Sequence, residues 1–382
     1  MHIVIATGPI HAFPPPGAAG VQKVFLTLAR EFVRRGHRVT VFAREWPGQA
    51  REEDFEGIRV VRRDGYSQGT NIWLDLAKDL AYAVRVGANV PVGDILITND
   101  FWLPALLRRR GKQGGKLVVA AHRFPKRQYR LYRHADAFIA VSKSVASAIR
   151  NQQPCLASKV FTINNPLDTS MLAVRKRAGC GAEVVIGSLG RIHPEKGVHL
   201  LLEAFRELVR GGSAARLKIA GPWEKAAGGG GEEYWRRINR MAEGLPVEIL
   251  GPLRNDQIAE FYESLDIYCL PSLADLGEAM PLAPLEAMAC GVVPVVSDIA
   301  AFMEYIEDGA NGLVFNHRAP DAPLQLAQTL ERLVKDPEAR SIMATRARSK
   351  AENFAPHAIA DQYLAVFTDL LDGKHLGKTV SR

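Results

Sequence analysis

Residues 183–197 read EVVIGSLGRIHPEKG. An uncharged run rich in Val and Ile, closed by Gly190 and followed by a helical pattern from Lys196 to Val209, fits a strand buried on both faces and its crossover helix. Its place in the chain decides the fold. Ahead of it, short β-branched runs at 2–6, 38–43, 58–61, 94–98, 116–121, 137–141 and 160–163 already complete one alternating series. After it come 217–221, 247–250, 267–270, 293–297 and 312–315, again separated by helices. Two consecutive βα series predict an α/β protein of two doubly wound domains facing a cleft, with ligand sites at the carboxyl ends of the strands. The domains should join near Asn164 to Cys180, giving 1–168 and 169–355.

Details within the series agree with this. After Gly20, apolar Val21, Val24, Phe25, Leu28, Phe32 and Val33 keep a helical period, and Gly36 stands where a left-handed stop is wanted. Pro356 to Asp372 reads as one more amphipathic helix. The stretch AAGGGGEE (226–233) reads as a flexible surface loop.

A chain of 382 residues with 24% charged residues is ordinary for a globular protein of about two domains. The cysteines Cys155, Cys180, Cys269 and Cys290 form no CxxC pair and are expected to be buried reduced thiols of a cytoplasmic protein. The opening MHIVIATGP is too short and too poor in bases for a secretion signal, and no apolar stretch reaches membrane-spanning length. A soluble or peripheral protein is expected.

Charge is more informative than composition. The net value is +8, yet residues 1–172 hold 25 Lys and Arg against 13 Asp and Glu, whereas the remainder holds 24 against 28. Much of the excess lies in 108–133, which includes RRRGKQGGK and RFPKRQYRLYRH. Such a run is either a solvated face or a contact for an anionic membrane or phosphorylated acceptor. No nucleic-acid-binding module accompanies it, so nucleic acid is not an expected partner.

Four places carry candidate chemistry. In PPPGAAGVQK (14–23), Gly20 offers a backbone amide at a helix start, where an anion can approach closely. In GRIHPEKG (190–197), Arg191 and Lys196 sit where a strand ends and a helix begins, so both can converge on one phosphate. His122 follows the strand 116–121 at its carboxyl end. The fourth is LGEAMPLAPLEAMACG (276–291), where Glu278 and Glu286 lie in a region, 255–317, that has eleven acids and no Lys or Arg. A carboxylate drawn into packed surroundings needs a distant cation, a backbone amide or a ligand donor. Pro281 and Pro284 predict a helix starting near 281, with Glu278 in the loop before it and Glu286 inside it. The expected partners of the two acids are the hydroxyls of a sugar nucleotide.

E-x7-E followed by AMACG, together with GR-x4-KG, a GVQ helix start ending in RGH, and NNPLD (164–168), resembles the retaining family 4 glycosyltransferases of the two-Rossmann GT-B fold. The resemblance runs over nearly the whole chain. It implies an acceptor-binding first domain, with the helical tail 356–382 packed back on it, and a donor-binding second domain. It also implies transfer of a hexose-type sugar, with retention and without a metal or other cofactor. The donor would be a nucleoside-diphosphate sugar of UDP or GDP type, and the acceptor a glycan or lipid-linked molecule at the inner face of the cytoplasmic membrane. The roles implied are Gly20 at the donor β-phosphate, Arg191 and Lys196 on the diphosphate, and Glu278 at the sugar hydroxyls beside Met280, Pro281 and Leu282. Glu286 would meet the ribose, His122 the transferred sugar, and Gln22 the acceptor. Two departures stand out. Ala19-Gly20 replaces the common Gly-Gly, and EAMP (278–281) replaces the common EGFG, stiffening the loop around the sugar.

Other readings are a sugar-nucleotide 2-epimerase of the same architecture and a non-catalytic nucleotide-sugar binding protein. A nicotinamide-dependent oxidoreductase is disfavoured, because the first βα turn lacks GxGxxG.

Overall fold

The computed structural model describes residues 1–15, 20–67, 69, 71–107, 115–168 and 183–374. Ala19, the bases of 108–114, Cys180 and most of the expected domain junction lie outside the described residues. The chain divides into two compact units, Met1–Pro166 with Pro356–Arg382, and Leu167–Ala355.

Unit 1 is built on strands β1 (His2–Ala6), β2 (Arg38–Arg44), β3 (Glu52–Phe55), β4 (Ile58–Arg63), β5 (Ile95–Thr98), β6 (Lys116–Ala121), β7 (Ala137–Ala140) and β8 (Val160–Thr162). Their order in the sheet is β3-β4-β2-β1-β5-β6-β7-β8. Ile3 of β1 lies between Val39 and Ile95, and all three are sealed from water, as parallel strands covered on both faces must be. Helix α1 (Gly20–Arg34) buries Val24, Phe25, Leu28 and Phe32, as its period predicts. It ends in a double cap: His37 N donates to Phe32 O at 3.0 Å and Gly36 N to Val33 O at 2.8 Å. Gly36 has φ 78°, a conformation that costs a side-chain-bearing residue.

Two elements of unit 1 have no counterpart in the sequence reading. β3 pairs antiparallel with β4 through a Glu56-Gly57 turn, both residues at positive φ. Its sequence EEDF carries no apolar run, because a charged edge strand is protected from further pairing by those charges. Helix α2 (Ile72–Asn89) turns an apolar side with Trp73, Leu80 and Val84 to solvent and buries Asp79, the reverse of the pattern by which a surface helix is found. Short α3 (Leu103–Leu106) and α4 (Lys143–Gln152) follow.

Unit 2 carries β9 (Val184–Leu189), β10 (Ala215–Ala220), β11 (Val247–Gly251), β12 (Ile267–Leu270), β13 (Val293–Ser297) and β14 (Leu313–Phe315), in the order β11-β10-β9-β12-β13-β14. Its helices are α5 (Val198–Arg210), α6 (Glu232–Ala242), α7 (Asn255–Glu263), α8 (Ala283–Ala289), α9 (Ala322–Lys335) and α10 (Pro337–Glu352). Leu201, Leu202 and Phe205 of α5 share one buried core with Leu326 and Leu330 of α9. Each such side chain contributes about 1.5–3 kcal/mol. The last helix, α11 (Pro356–Leu371), belongs to unit 1, where Tyr363 and Phe367 meet Phe32 of α1 with ring centroids 6.4 and 6.0 Å apart.

Three expectations are corrected here. Helix α8 starts at Ala283, two residues later than expected, with Pro284 in its first turn. The glycine run of 226–233 is a hydrogen-bonded turn rather than a loose loop. Gly228, Gly229, Gly230 and Gly231 donate their amides to the carbonyls of Lys225, Glu224, Ile192 and Trp223 at 2.8–2.9 Å. A Cβ at Gly229 would fall 2.2 Å from the Trp223 backbone, so the run is glycine because the chain folds tightly on itself. Finally, Cys269 and Cys290 are buried, but Cys155 is exposed.

Candidate functional site

In unit 2 the strand order reverses between β9 and β12, the switch point outside whose strand ends open α/β sheets bind their ligands. The loop after β9 carries Arg191 and Lys196, and the loop after β12 carries Glu278. A Cβ on Gly197 would lie 1.9 Å from the Pro271 carbonyl oxygen, so glycine is required for the two loops to touch. They are then joined by hydrogen bonds to the Glu195 carbonyl, from Leu273 N at 2.7 Å and Ser272 Oγ at 3.1 Å.

At the centre of this seam Lys196 Nζ donates to Glu278 Oε1 at 2.5 Å, and Ser272 Oγ is 2.7 Å from the same oxygen. The Glu278 side chain is 5% exposed and that of Lys196 17%. A distant cation of the protein thus meets Glu278, whose expected partner is a sugar hydroxyl. The surrounding segment has no base of its own, but β9 and β12 are neighbours in the sheet and bring a lysine from 82 residues upstream.

Arg191 stands apart from this pair. Its Nη1 donates to the Gly228 carbonyl at 2.6 Å, its Nη2 is 3.9 Å from Glu195 Oε2, and its side chain is 43% exposed. Arg191 and Lys196 thus start from separate partners. The guanidinium is held against the glycine turn, and the ammonium against a buried carboxylate.

Glu286 is half-buried on α8, where Tyr262 Oη lies 2.8 Å from its Oε2 and 3.1 Å from the Ala283 carbonyl. Burial, and next the Glu286 charge, hold the Tyr262 hydroxyl well above its ordinary pKa, so it stays a proton donor to that carboxylate. Pro281 is fixed through its carbonyl, which accepts from Tyr305 Oη at 2.8 Å. Met280 is buried, and Leu282 caps the start of α8. Asp275, three residues before Glu278, is gripped by His317 and Arg318. His317 is itself hydrogen-bonded to Asp298 after β13.

In unit 1 Gly20 opens α1 with empty space where a Cβ would be. Gln22 is buried on the same helix. His122, at the end of β6, is half-buried and set edge-on to Phe25, with ring centroids 5.3 Å apart. Its Nε2 is sealed from solvent and has no hydrogen-bond partner. Burial, reinforced by Arg123 and opposed by Asn165, pushes its pKa down to about 4, so the ring is neutral at pH 7.

Three groups escaped the sequence reading. Ser272 and Tyr262 carry no motif, and only their neighbours reveal them. The third is a buried acid pair, Asp79 on α2 and Asp100 after β5. Asp100 Oδ1 accepts from Trp102 N at 3.0 Å and Leu103 N at 2.7 Å, while its Oδ2 and that of Asp79 have no partner. Burial raises Asp79 to about 6 and, helped by the Asp79 charge, lifts Asp100 well above the usual carboxylate range. Asp100 lies two residues past the end of a strand, a position the sequence does display. Among the described residues no group of three His, Cys, Asp or Glu side chains is placed to hold a metal ion.

Comparison with known proteins gives two family matches: "Glycosyl transferases group 1" over residues 175–350 and "Glycosyltransferase Family 4" over 18–171. The putative colanic acid biosynthesis glycosyltransferase WcaL of Salmonella typhimurium is 28% identical over 255 residues, 64% of this chain. That match covers 59% of WcaL, so the chain spans about three-fifths of this relative's length. The GDP-mannose-dependent α-(1-6)-phosphatidylinositol monomannoside mannosyltransferase of Mycolicibacterium smegmatis is 26% identical, over 87% of this chain and 90% of that protein. The crystal structure of HepE from Anabaena in complex with UDP and glucose superposes with a TM-score of 0.73 at 19% identity, covering 97% of this chain and all of that one. At that identity the likeness speaks for the fold, two parallel-sheet α/β units of the GT-B type.

Proposed function

This chain belongs to the group 1, family 4 glycosyltransferases, and on that premise we propose that it moves a hexose-type sugar from a nucleoside diphosphate to a glycan or lipid-linked acceptor, with retention of configuration. The observation that carries the proposal is the Lys196–Glu278 pair at the strand-order reversal of unit 2. An ammonium has three donors, and Glu278 engages one of them, which leaves donors for a phosphate oxygen. Glu278 fixes that cation in place beforehand, so little reorganisation is needed as charge develops.

In the proposed reaction the bond between the anomeric carbon and the phosphate oxygen lengthens. The sugar gains oxocarbenium character while Lys196 and Arg191 meet the charge growing on the departing diphosphate. With these side chains neutralising the phosphates, the reaction is proposed to run without a metal ion. The leaving phosphate oxygen accepts the acceptor's proton on the same face. Glu286, held by Tyr262, is the proposed partner of the ribose diol, and the loop 278–282 that of the sugar. His122, neutral at pH 7, would contact the transferred sugar as a hydrogen-bonding group rather than a charge.

A donor of UDP or GDP type is supported by the printed descriptions of the relatives, since HepE holds UDP and the mycobacterial enzyme uses GDP-mannose. The colanic acid and phosphatidylinositol relatives support work in surface polysaccharide or glycolipid assembly. The basic excess of residues 1–172 supports an acceptor at the inner, anionic face of the cytoplasmic membrane. No helix of the described residues is long and apolar enough to cross it. The test is a thermal-shift screen of nucleoside diphosphates and their sugar conjugates, followed by product analysis with and without acceptors. If no nucleotide raised the melting point, the proposal would fall. A free, epimerised sugar nucleotide formed without any acceptor would make the protein an epimerase.

A further inference from the structure

Helix α2 buries Asp79, Tyr82, Ala83 and Val86 against unit 1 and turns its other side to solvent. At about 100° per residue, Trp73, Ala77, Leu80, Ala81, Val84 and Ala88 fall within one band of roughly 100°, opposite the buried face. All six are exposed, Trp73 at 79% and Val84 at 53%. No charged or hydrogen-bonding side chain interrupts the band apart from the Trp73 indole. Along one flank, about 120–140° round from Trp73, stand the exposed bases Lys78 and Arg85. Of the helix's acids, Asp79 is buried, and Asp75 is half-buried and accepts from the Gly69 amide, so neither lies in the band.

We propose that this outward face of α2 is the surface on which the protein docks to an anionic lipid bilayer, its apolar band entering the headgroup boundary and its basic flank meeting lipid phosphates. The proposal deepens the reading of a membrane-side acceptor and rests on it. An apolar band edged by Lys and Arg, with Trp at one end, is the pattern of a helix lying in a membrane interface. Residues 1–172 as a whole carry twelve more bases than acids, the sign an anionic surface attracts. A second copy of the chain fits less well. An 18-residue helix is about 27 Å long and roughly 10 Å wide. Two such faces would bury about 540 Å² together, short of the roughly 1,000 Å² expected of a specific interface.

The test is flotation of the full-length protein with vesicles of phosphatidylglycerol and phosphatidylcholine, and with phosphatidylcholine alone, at low salt. The unaltered protein should float with the anionic vesicles. Leu80→Glu/Val84→Glu, on the exposed face, should lower the bound fraction at least about tenfold. Lys78→Gln/Arg85→Gln should lower it less and flatten its salt dependence. Sedimentation of both forms without lipid, and nucleotide thermal shifts, run in parallel. Failure of the unaltered protein to float, equal flotation of Leu80→Glu/Val84→Glu, or a dimer that this variant dissociates would overturn the proposal. Intact nucleotide binding alongside any of these would leave the transferase reading standing, whereas loss of nucleotide binding with intact flotation would do the reverse.

Discussion

Removing Lys196 and then relieving the consequence is the sharpest way to probe the joined loops after β9 and β12. At 2.5 Å and an effective dielectric constant of about 20, the gross attraction between Lys196 and Glu278 is about 7 kcal/mol. Desolvation of two groups that are 17% and 5% exposed offsets several kcal/mol of this, leaving a coupling of about 2–4 kcal/mol. Lys196→Ala leaves a buried carboxylate with only the Ser272 hydroxyl for support and should destabilise unit 2 by about 3–5 kcal/mol. Adding Glu278→Gln removes the stranded charge. The double variant should therefore be more stable than Lys196→Ala alone, even though it carries one more substitution. Denaturant unfolding followed by near-ultraviolet circular dichroism suits the measurement, because Trp223 and Trp235 stack in unit 2 with centroids 5.4 Å apart. Strictly additive losses, with no recovery in the double variant, would show that the two charges do not sense each other and would refute the reasoning.

Four further outcomes are expected. Arg191→Ala should lower turnover at least about a hundredfold, on the order of 3 kcal/mol, and steady-state kinetics with a competent donor would reveal it. Glu286→Ala should weaken nucleoside diphosphate binding with little effect on the Lys196–Glu278 pair, and unchanged calorimetric affinity would remove its proposed ribose role. His122 has a folded pKa of about 4, below the ordinary 6.5, so its contribution to stability is complete above pH 6.5 and is lost as pH falls toward 4. The fall from 6.5 to about 4 corresponds to about 3 kcal/mol, and His122→Gln should flatten the slope in that window. Asp79 works in the opposite sense. Its raised pKa of about 6 gives stability that is present below about 3.8 and lost as pH rises through 6, so Asp79→Asn should raise the melting point at pH 7 but not at pH 4.

The strands of both units are visible in the sequence because parallel strands are buried on both faces and must be apolar throughout. The runs at 2–6, 116–121, 267–270 and 293–297 match β1, β6, β12 and β13 residue for residue. The helix stop at Gly36 is equally local, since it depends on one residue's backbone freedom. β3 and α2 were hidden for opposite reasons: one is a charged edge, and the other is apolar where it faces water.

The candidate site divides in the same way. Residue type and turn position were enough to single out Arg191, Lys196, Glu278, Glu286 and His122. Their partners were not legible. A stretch without a single base looks electrostatically unbalanced only along the chain, and the sheet order that sets β9 beside β12 supplies the missing cation from 82 residues away. Local chemistry therefore fixed which side chains could act, because caps, turns and alternation depend on near neighbours. Which of them touch depended on strand order, and only the folded sheet brings such distant positions together.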